Sequence, residues 1–280
     1  MNIRHKNRLI KVALYFFYFI VAVFFLFPVL WVLSLSLKTV PELYKVPPAI
    51  LPETFAWENY VYLFEQINIM QGIWNSLKVT AGTIVGTMII SVPAAYCFSR
   101  MKFRFSKQLQ FIVLMFQMIS PLVVVIPLYR YLSSLGMLNS LIGLTLIYIA
   151  ISAPFQVWFL KSFLDTIPVE LDEAATIDGC SRLQTVVKIL LPVIVPGLFS
   201  GVLLVFITSW SQFIVPYILI DSPTKMPVSA LLVNLQGKLN QITTHYLAGA
   251  SVLTILPTVI LFVFLQKYIV SALTSGAVKG

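Results

Sequence analysis

Apolar residues in this chain do not alternate with polar ones. They gather into six long runs, at residues 12–37, 73–98, 109–131, 141–163, 193–220 and 247–269, with polar segments between them. A bilayer core needs about 20 mostly apolar residues in helical form, and each run is long enough. The pattern predicts an all-α, polytopic membrane bundle of six transmembrane helices. Composition agrees: 59% of the 280 residues are hydrophobic and 10% are charged, against roughly 25% charged in soluble domains. One transmembrane domain over residues 1–280 is expected, not a string of soluble ones.

The first run follows Arg4, Lys6, Arg8 and Lys11, in the manner of a signal-peptide n-region. The run is too long for a cleaved h-region, although Ser34-Leu35-Ser36 imitates a cleavage site, and an uncleaved signal anchor is expected. Pro28, Pro93, Pro121, Pro127, Pro154, Pro196, Pro216 and Pro257 fall within or at the edges of runs. Each interior proline removes a helical hydrogen bond and tends to kink its helix.

Net charge is +9. The bases are scattered between apolar runs, which fits a positive-inside bias and argues against nucleic-acid binding. Placing the N-terminus in the cytoplasm also puts Arg100, Lys102, Arg104, Lys107, Lys161, Arg182, Lys188, Lys267 and Lys279 there. Only Lys38, Lys45, Lys78, Arg130, Lys225 and Lys238 fall outside or near the outer boundary. Both termini are therefore expected to be cytoplasmic.

On this topology Glu42, Glu53, Glu58 and Glu65 lie in the first external loop. Asp165, Glu170, Asp172, Glu173 and Asp178 lie in one cytoplasmic loop, and Asp221 ends the fifth span. No acid sits at mid-membrane, where proton- and sodium-coupled carriers place ionisable or coordinating groups. There is no G-x-x-x-x-G-K-[ST], so the chain has no P-loop for ATP. Cys97, Cys180, His5 and His245 are isolated, with no metal-ligand spacing. No Ser/His/Asp or Cys/His constellation is visible. The chain is not expected to be an enzyme or to bind a metal or cofactor itself, so uphill transport would draw its energy from another subunit.

The cytoplasmic loop, residues 164–192, carries half of the acids. Pro168 suits a first helical position. Glu170, Asp172 and Glu173 then fall in the first turns, where the helix dipole favours negative charge, and Gly179 is a natural stop. Ser181-Arg182-Leu183-Gln184 reads as a capping box that opens a second helix, running through Val186, Val187, Ile189 and Leu190 toward Pro192. Ala174, Ala175 and Ile177 give the first helix a small, partly apolar surface that a partner's groove can take. On local physics a well-capped hairpin without a partner is an equal reading.

Glu173-Ala174-Ala175, Gly179, Ile189 and Leu191-Pro192 match the EAA motif of ABC importer permeases at its defined positions and spacings. The chain resembles that family, and its carbohydrate branch in particular. Asn75-Ser76-Leu77 opens the second run, Pro154-Phe155 and Trp158 precede the loop, and Gln266 to Val270 with Gly276 to Gly280 resembles the tail of maltose-type (MalG-like) members. The resemblance implies the type I importer permease fold, the plasma (inner) membrane of a prokaryote as its location, and a coupling helix seated in a cleft of a cytoplasmic ATPase. Its contact core would be Glu173, Ala174, Ala175 and Gly179, flanked by Asp172 and Asp178. The tail over residues 271–280 would make a second ATPase contact through Gly276, Ala277, Val278, Lys279 and Gly280. Implied partners are a second, homologous permease, two ATP-binding subunits that use ATP and Mg, and an extracellular solute-binding protein. Where carbohydrate permeases often read Trp-Asn-Glu-Phe, this chain reads Trp210-Ser211-Gln212-Phe213.

A sugar path needs neutral hydrogen-bonding groups and aromatic faces. Thr208, Ser211 and Gln212 share a helix face at i, i+3 and i+4, with Trp210 and Tyr217 nearby, and Asn75, Gln117 and Ser120 are further candidates. Each is equally suited to interhelical hydrogen bonding. The segment from Asp221 to His245, with Trp57 and Tyr60 in the first external loop, is a candidate surface for a binding protein. The leading reading is a permease that moves a di- or oligosaccharide. An importer permease for a polyol, glycerol phosphate or polyamine is the alternative, and a stand-alone channel or secondary carrier a third.

Overall fold

The computed structural model describes the backbone of residues 3–101, 103–237 and 244–277, and the side chains of 10–101, 103–120, 122–236 and 244–268. Among these residues the regular structure is helical, with no strand. The helices are α1 (Ile3–Ser36), α2 (Val40–Leu43), α3 (Glu58–Glu65), α4 (Ile69–Arg100), α5 (Ser106–Met115), α6 (Pro121–Ser134) and α7 (Leu141–Leu164). They continue as α8 (Glu170–Ile177), α9 (Arg182–Gln184), α10 (Leu191–Val193), α11 (Val195–Ser211), α12 (Ile214–Leu219), α13 (Val228–Gly237) and α14 (Thr244–Ala277).

Four of the six predicted spans are unbroken helices of membrane-crossing length: α1, α4, α7 and α14. The other two are bent pairs. Ser106–Met118 and Leu122–Ser134 meet at 93°, and Arg182–Val193 meets Val195–Ser211 at 86°. Proline accounts for both bends. A residue before proline is pushed toward extended backbone, and Ser120, before Pro121, has φ −63° and ψ 133°. Pro196 has no N–H to offer the Pro192 carbonyl, and the chain turns at Ile194, with φ −90° and ψ 13°.

The fifth run is also broken at its far end. It was expected to continue to residue 220, but α11 stops at Ser211 and Gln212 is extended, with ψ 118°. Pro216 explains this: as the residue four beyond Gln212, it cannot donate to the Gln212 carbonyl. That carbonyl instead accepts from the Tyr148 hydroxyl at 3.2 Å and the Ser229 hydroxyl at 2.8 Å. The Gln212 side chain turns back and accepts from the Ile214 N–H at 3.2 Å.

The chain forms two compact units. The first comprises Met1–Ile69 with Asn234–Leu256. In it, α1 from Ile10 to Leu33 has no buried residue, a surface suited to lipid or to another chain. The loop after α1 is tied to that helix's end. Asn59 donates to the Ser36 and Lys38 carbonyls at 2.9 and 3.0 Å, and the Ser36 and Tyr60 hydroxyls meet at 2.7 Å. Lys38 is buried, donates to the Ala49 carbonyl, and lies 4.8 Å over the Trp31 ring.

The second unit comprises Met70–Val233 with Pro257–Gly280. Its centre is α7, gripped by two helices that meet it through G-x-x-x-G stripes, a spacing that lets backbones approach closely. A Cβ at Gly86 of α4 would lie 2.2 Å from Ile149 Cδ1, and one at Gly201 of α11 would lie 2.0 Å from Gln156 Nε2. At one end of this packing Ala95, Leu160, Leu164, Ile167, Val186, Leu190 and Ile194 form a buried core. That core roots the predicted docking loop, because both of its flanks contribute to it.

Candidate functional site

Helix α8 begins at Glu170, two residues later than expected, with Pro168 outside it and Val169 at its N-cap, and otherwise follows its sequence. Glu170, Asp172 and Glu173 occupy its first turn, the favourable end for negative charge. Its C-terminus closes on Gly179, whose φ of +78° is open to glycine without a Cβ penalty. The Gly179 N–H donates to the Thr176 carbonyl at 3.1 Å and the Cys180 N–H to the Ala175 carbonyl at 2.9 Å. This is the paired closure of a Schellman motif. The capping box that follows is complete, with Ser181 accepting from the Gln184 N–H and the Gln184 side chain accepting from the Ser181 N–H. Beyond it the expected α-helix is replaced by a π-helical stretch, Thr185–Leu190. The wider turn absorbs Pro192, which has no N–H for the Lys188 carbonyl.

The two faces of α8 differ. Glu173, Ala174, Asp178 and Gly179 are exposed, and Ile177 is 85% exposed. Together they form a free surface with an apolar centre and an acidic margin. Ala175 is 1% exposed and packs inward, so it positions the helix and is not on the free face. Asp172 also points inward. The Arg100 Nε donates to its Oδ2 at 2.9 Å, and the Arg100 Nη2 donates to the Ile167 carbonyl at 2.9 Å. With side chains only 8% and 14% exposed, this pair is an internal anchor. Asp165, at the C-cap of α7 and exposed, accepts from the Ser99 hydroxyl at 2.7 Å and from Lys161 at 2.6 Å. Sequence reasoning assigned Arg100 to topology and missed its bond to the loop. Its position at the very end of α4 was the available signal.

The path candidates separate in the same way. Thr208, Ser211 and Tyr217 are exposed and Gln212 is partly so. The Thr208 and Ser211 hydroxyls donate to the Leu204 and Ile207 carbonyls at 2.9 and 2.7 Å, leaving acceptor lone pairs for a solute. Trp210 is buried against Phe206, with ring centroids 5.3 Å apart. Asn75 is buried too, and its amide donates to the Thr224 and Met226 carbonyls at 2.9 and 3.3 Å. These two are packing groups. Gln117 donates to the Ile151 carbonyl at 2.9 Å and lines an apolar cavity of about 810 Å³ with Val125, Leu132, Ile147 and Pro154.

In the tail, the backbone of Gly276 and Ala277 continues α14. Val278, Lys279 and Gly280 lie outside the described residues, as do Lys238, Asn240 and Gln241. No cluster of three metal-ligating side chains occurs among the described residues.

Residues 82–275 match the family described as binding-protein-dependent transport system inner membrane component. The chain is 33% identical to the trehalose/maltose transport system permease protein MalG of Thermococcus litoralis, over 93% of this chain and 94% of that one. It is 31% identical to the diacetylchitobiose uptake system permease protein DasC of Streptomyces coelicolor, over 91% of this chain and 92% of that one. Among solved structures, it matches a chain of a bacterial ABC transporter involved in import of the acidic polysaccharide alginate. The TM-score is 0.79 at 21% identity, covering 94% of this chain and 98% of that chain.

Proposed function

The chain belongs to the family of binding-protein-dependent transport system inner membrane components, and from that premise we propose that it is the permease subunit of an ATP-driven carbohydrate importer. The observation that carries the coupling part of this reading is the free face of α8 and its end: Glu173, Ala174, Ile177 and Gly179 on a helix closed at its C-terminus by a Schellman motif and rooted in the bundle. The names of its relatives support a di- or oligosaccharide as the solute.

In this reading the chain pairs with a second, homologous permease and two ATPase subunits, and receives sugar from an extracellular solute-binding protein. Both termini and α8 face the cytoplasm. ATP and Mg belong to the ATPases, and the chain performs no covalent chemistry. Closure of the ATPases displaces α8, and rocking of the bent bundle exchanges outward for inward access. Thr208 and Ser211 on α11, with Gln212 just beyond its end and Tyr217, offer a passing sugar hydroxyl acceptors, an amide and a ring. The tail from Gly276 to Gly280 makes a second ATPase contact.

The test is the double substitution Glu173→Lys with Gly179→Pro. Membrane insertion is expected to stay normal while ATPase co-purification and sugar uptake are lost. Full uptake in that variant would overturn the reading. A ligand screen of the cognate solute-binding protein decides between a sugar and a polyol, glycerol phosphate or polyamine.

A further inference from the structure

The free face of α8 explains how a partner can hold the helix, but not how movement of α8 reaches the bundle. An eight-residue helix linked only by flexible chain could tilt on its own. Two features here oppose that. The first is the Arg100–Asp172 pair, which joins the last residue of α4 to the first turn of α8 across 72 positions of sequence. The second Arg100 bond, to the Ile167 carbonyl, fixes the guanidinium from the other side. Bonds from a planar fork to two separate acceptors set an orientation as well as a distance. Ser99, one residue earlier on α4, bonds Asp165 at the C-cap of α7, which ties α4 to α7 and not to α8.

On its other side α8 leads through Gly179 and the capping box into a π-helical stretch and an 86° bend before α11. π-helical geometry is uncommon and accommodates local rearrangement. The connection to α4 is thus short, charged and shielded from water, whereas the connection to α11 runs through irregular backbone.

We propose that Arg100 is a positioning residue that latches α8 to α4, so that displacement of α8 is delivered to α4 as a rigid movement. The inference rests on the permease reading given above. Asp172 is the latch's receptor, which is why it faces inward while Glu173 faces out.

The test uses the complex co-purified with its ATPase subunits, with spin labels placed at exposed Ile90 of α4 and Glu170 of α8 and the distance between them read with and without ATP. With the latch intact, the distance is expected to stay constant between the two states. In Arg100→Gln and Asp172→Asn it should shift by more than about 2 Å or broaden on ATP binding, the scale of interface helix shifts in switching proteins. Arg100→Lys, and the exchange Arg100→Asp with Asp172→Arg, should restore the constant distance in part. If Arg100→Gln fails to assemble, the isosteric Asp172→Asn carries the comparison. A distance that shifts with ATP in the unsubstituted complex, or stays constant in both single variants, would overturn the latch. Absence of any co-purifying ATPase from the unsubstituted protein would instead overturn the permease reading.

Discussion

Two acid-bearing loops of this protein each bury one carboxylate, and they stabilise it differently. In the loop after α1, Glu42 is held by its own neighbourhood. Burial pushes its carboxyl up, but the Thr54 hydroxyl, the Glu53 and Thr54 backbone amides and the Lys45 charge together hold it below its ordinary value. Every bond closes within a dozen residues or on the end of α1. In the EAA loop, Asp172 is held by Arg100, 72 residues away on a helix of membrane-crossing length. The first arrangement makes a loop that is rigid in itself. The second makes a loop mechanically joined to the bundle. The difference teaches which of the two can pass on a force.

The largest effect should come from cutting that joint. Arg100→Gln leaves the largely buried Asp172 without its ion-pair partner and with only Tyr96 beside it, a change that costs up to about 3–5 kcal/mol. The thermal midpoint of the purified complex should fall by roughly 6 °C or more. A midpoint within 1–2 °C of the parent, on the order of an exposed pair's effect, would erase the contrast between the loops.

A smaller effect sharpens the same contrast through packing. Leu190 is fully buried in the core that roots the EAA loop, whereas Leu51, in the loop after α1, is 75% exposed. Leu190→Ala should destabilise by about 2–3 kcal/mol, and Leu51→Ala should be neutral in the same melting measurement.

The smallest effect concerns Glu42 and depends on pH. Its folded-state pKa is depressed, so its contribution to stability is complete above the unfolded value of 4.5 and is lost as pH falls through the folded value. Glu42→Gln should cost on the order of 1 kcal/mol at neutral pH, and the cost should shrink as pH falls below 4.5 and through the folded value. Limited proteolysis across the loop, parent against variant over that range, reads the convergence. Parallel curves at all pH values would show that the carboxylate's charge does not hold this loop.

Much of this architecture is legible in the sequence because bilayer thickness forces long apolar runs. The positions of α1, α4, α7 and α14 follow from that alone. The bends in the third and fifth runs were less legible. Proline shows where a bond is missing, but not whether Tyr148 and Ser229 stand ready to replace it at Gln212. The G-x-x-x-G stripes at Gly82–Gly86 and Gly197–Gly201 were readable as close-approach signals, though which helix they meet is set by tertiary packing. In the EAA loop, the glycine stop and the capping box could be read locally because their bonds are local. The division of its acids could not. Asp172 and Glu173 are adjacent and chemically alike, and the placement of Arg100 and Tyr96 on α4 turns one inward and leaves the other outside. For Trp210 and Asn75 the sequence left a path and a packing role open, since helical spacing does not say which face meets a neighbour, and both are buried.

The central claim is that α8 has an outward face for the ATPase and an inward face for the bundle. Quantitative co-purification of the ATPase subunit tests it most directly, with Ile177→Asp and Asp172→Asn compared in parallel. The account predicts a tenfold or greater loss of ATPase with Ile177→Asp, equivalent to about 1.4 kcal/mol of binding, and recovery near the parent level with Asp172→Asn. Loss with Asp172→Asn and retention with Ile177→Asp would contradict it.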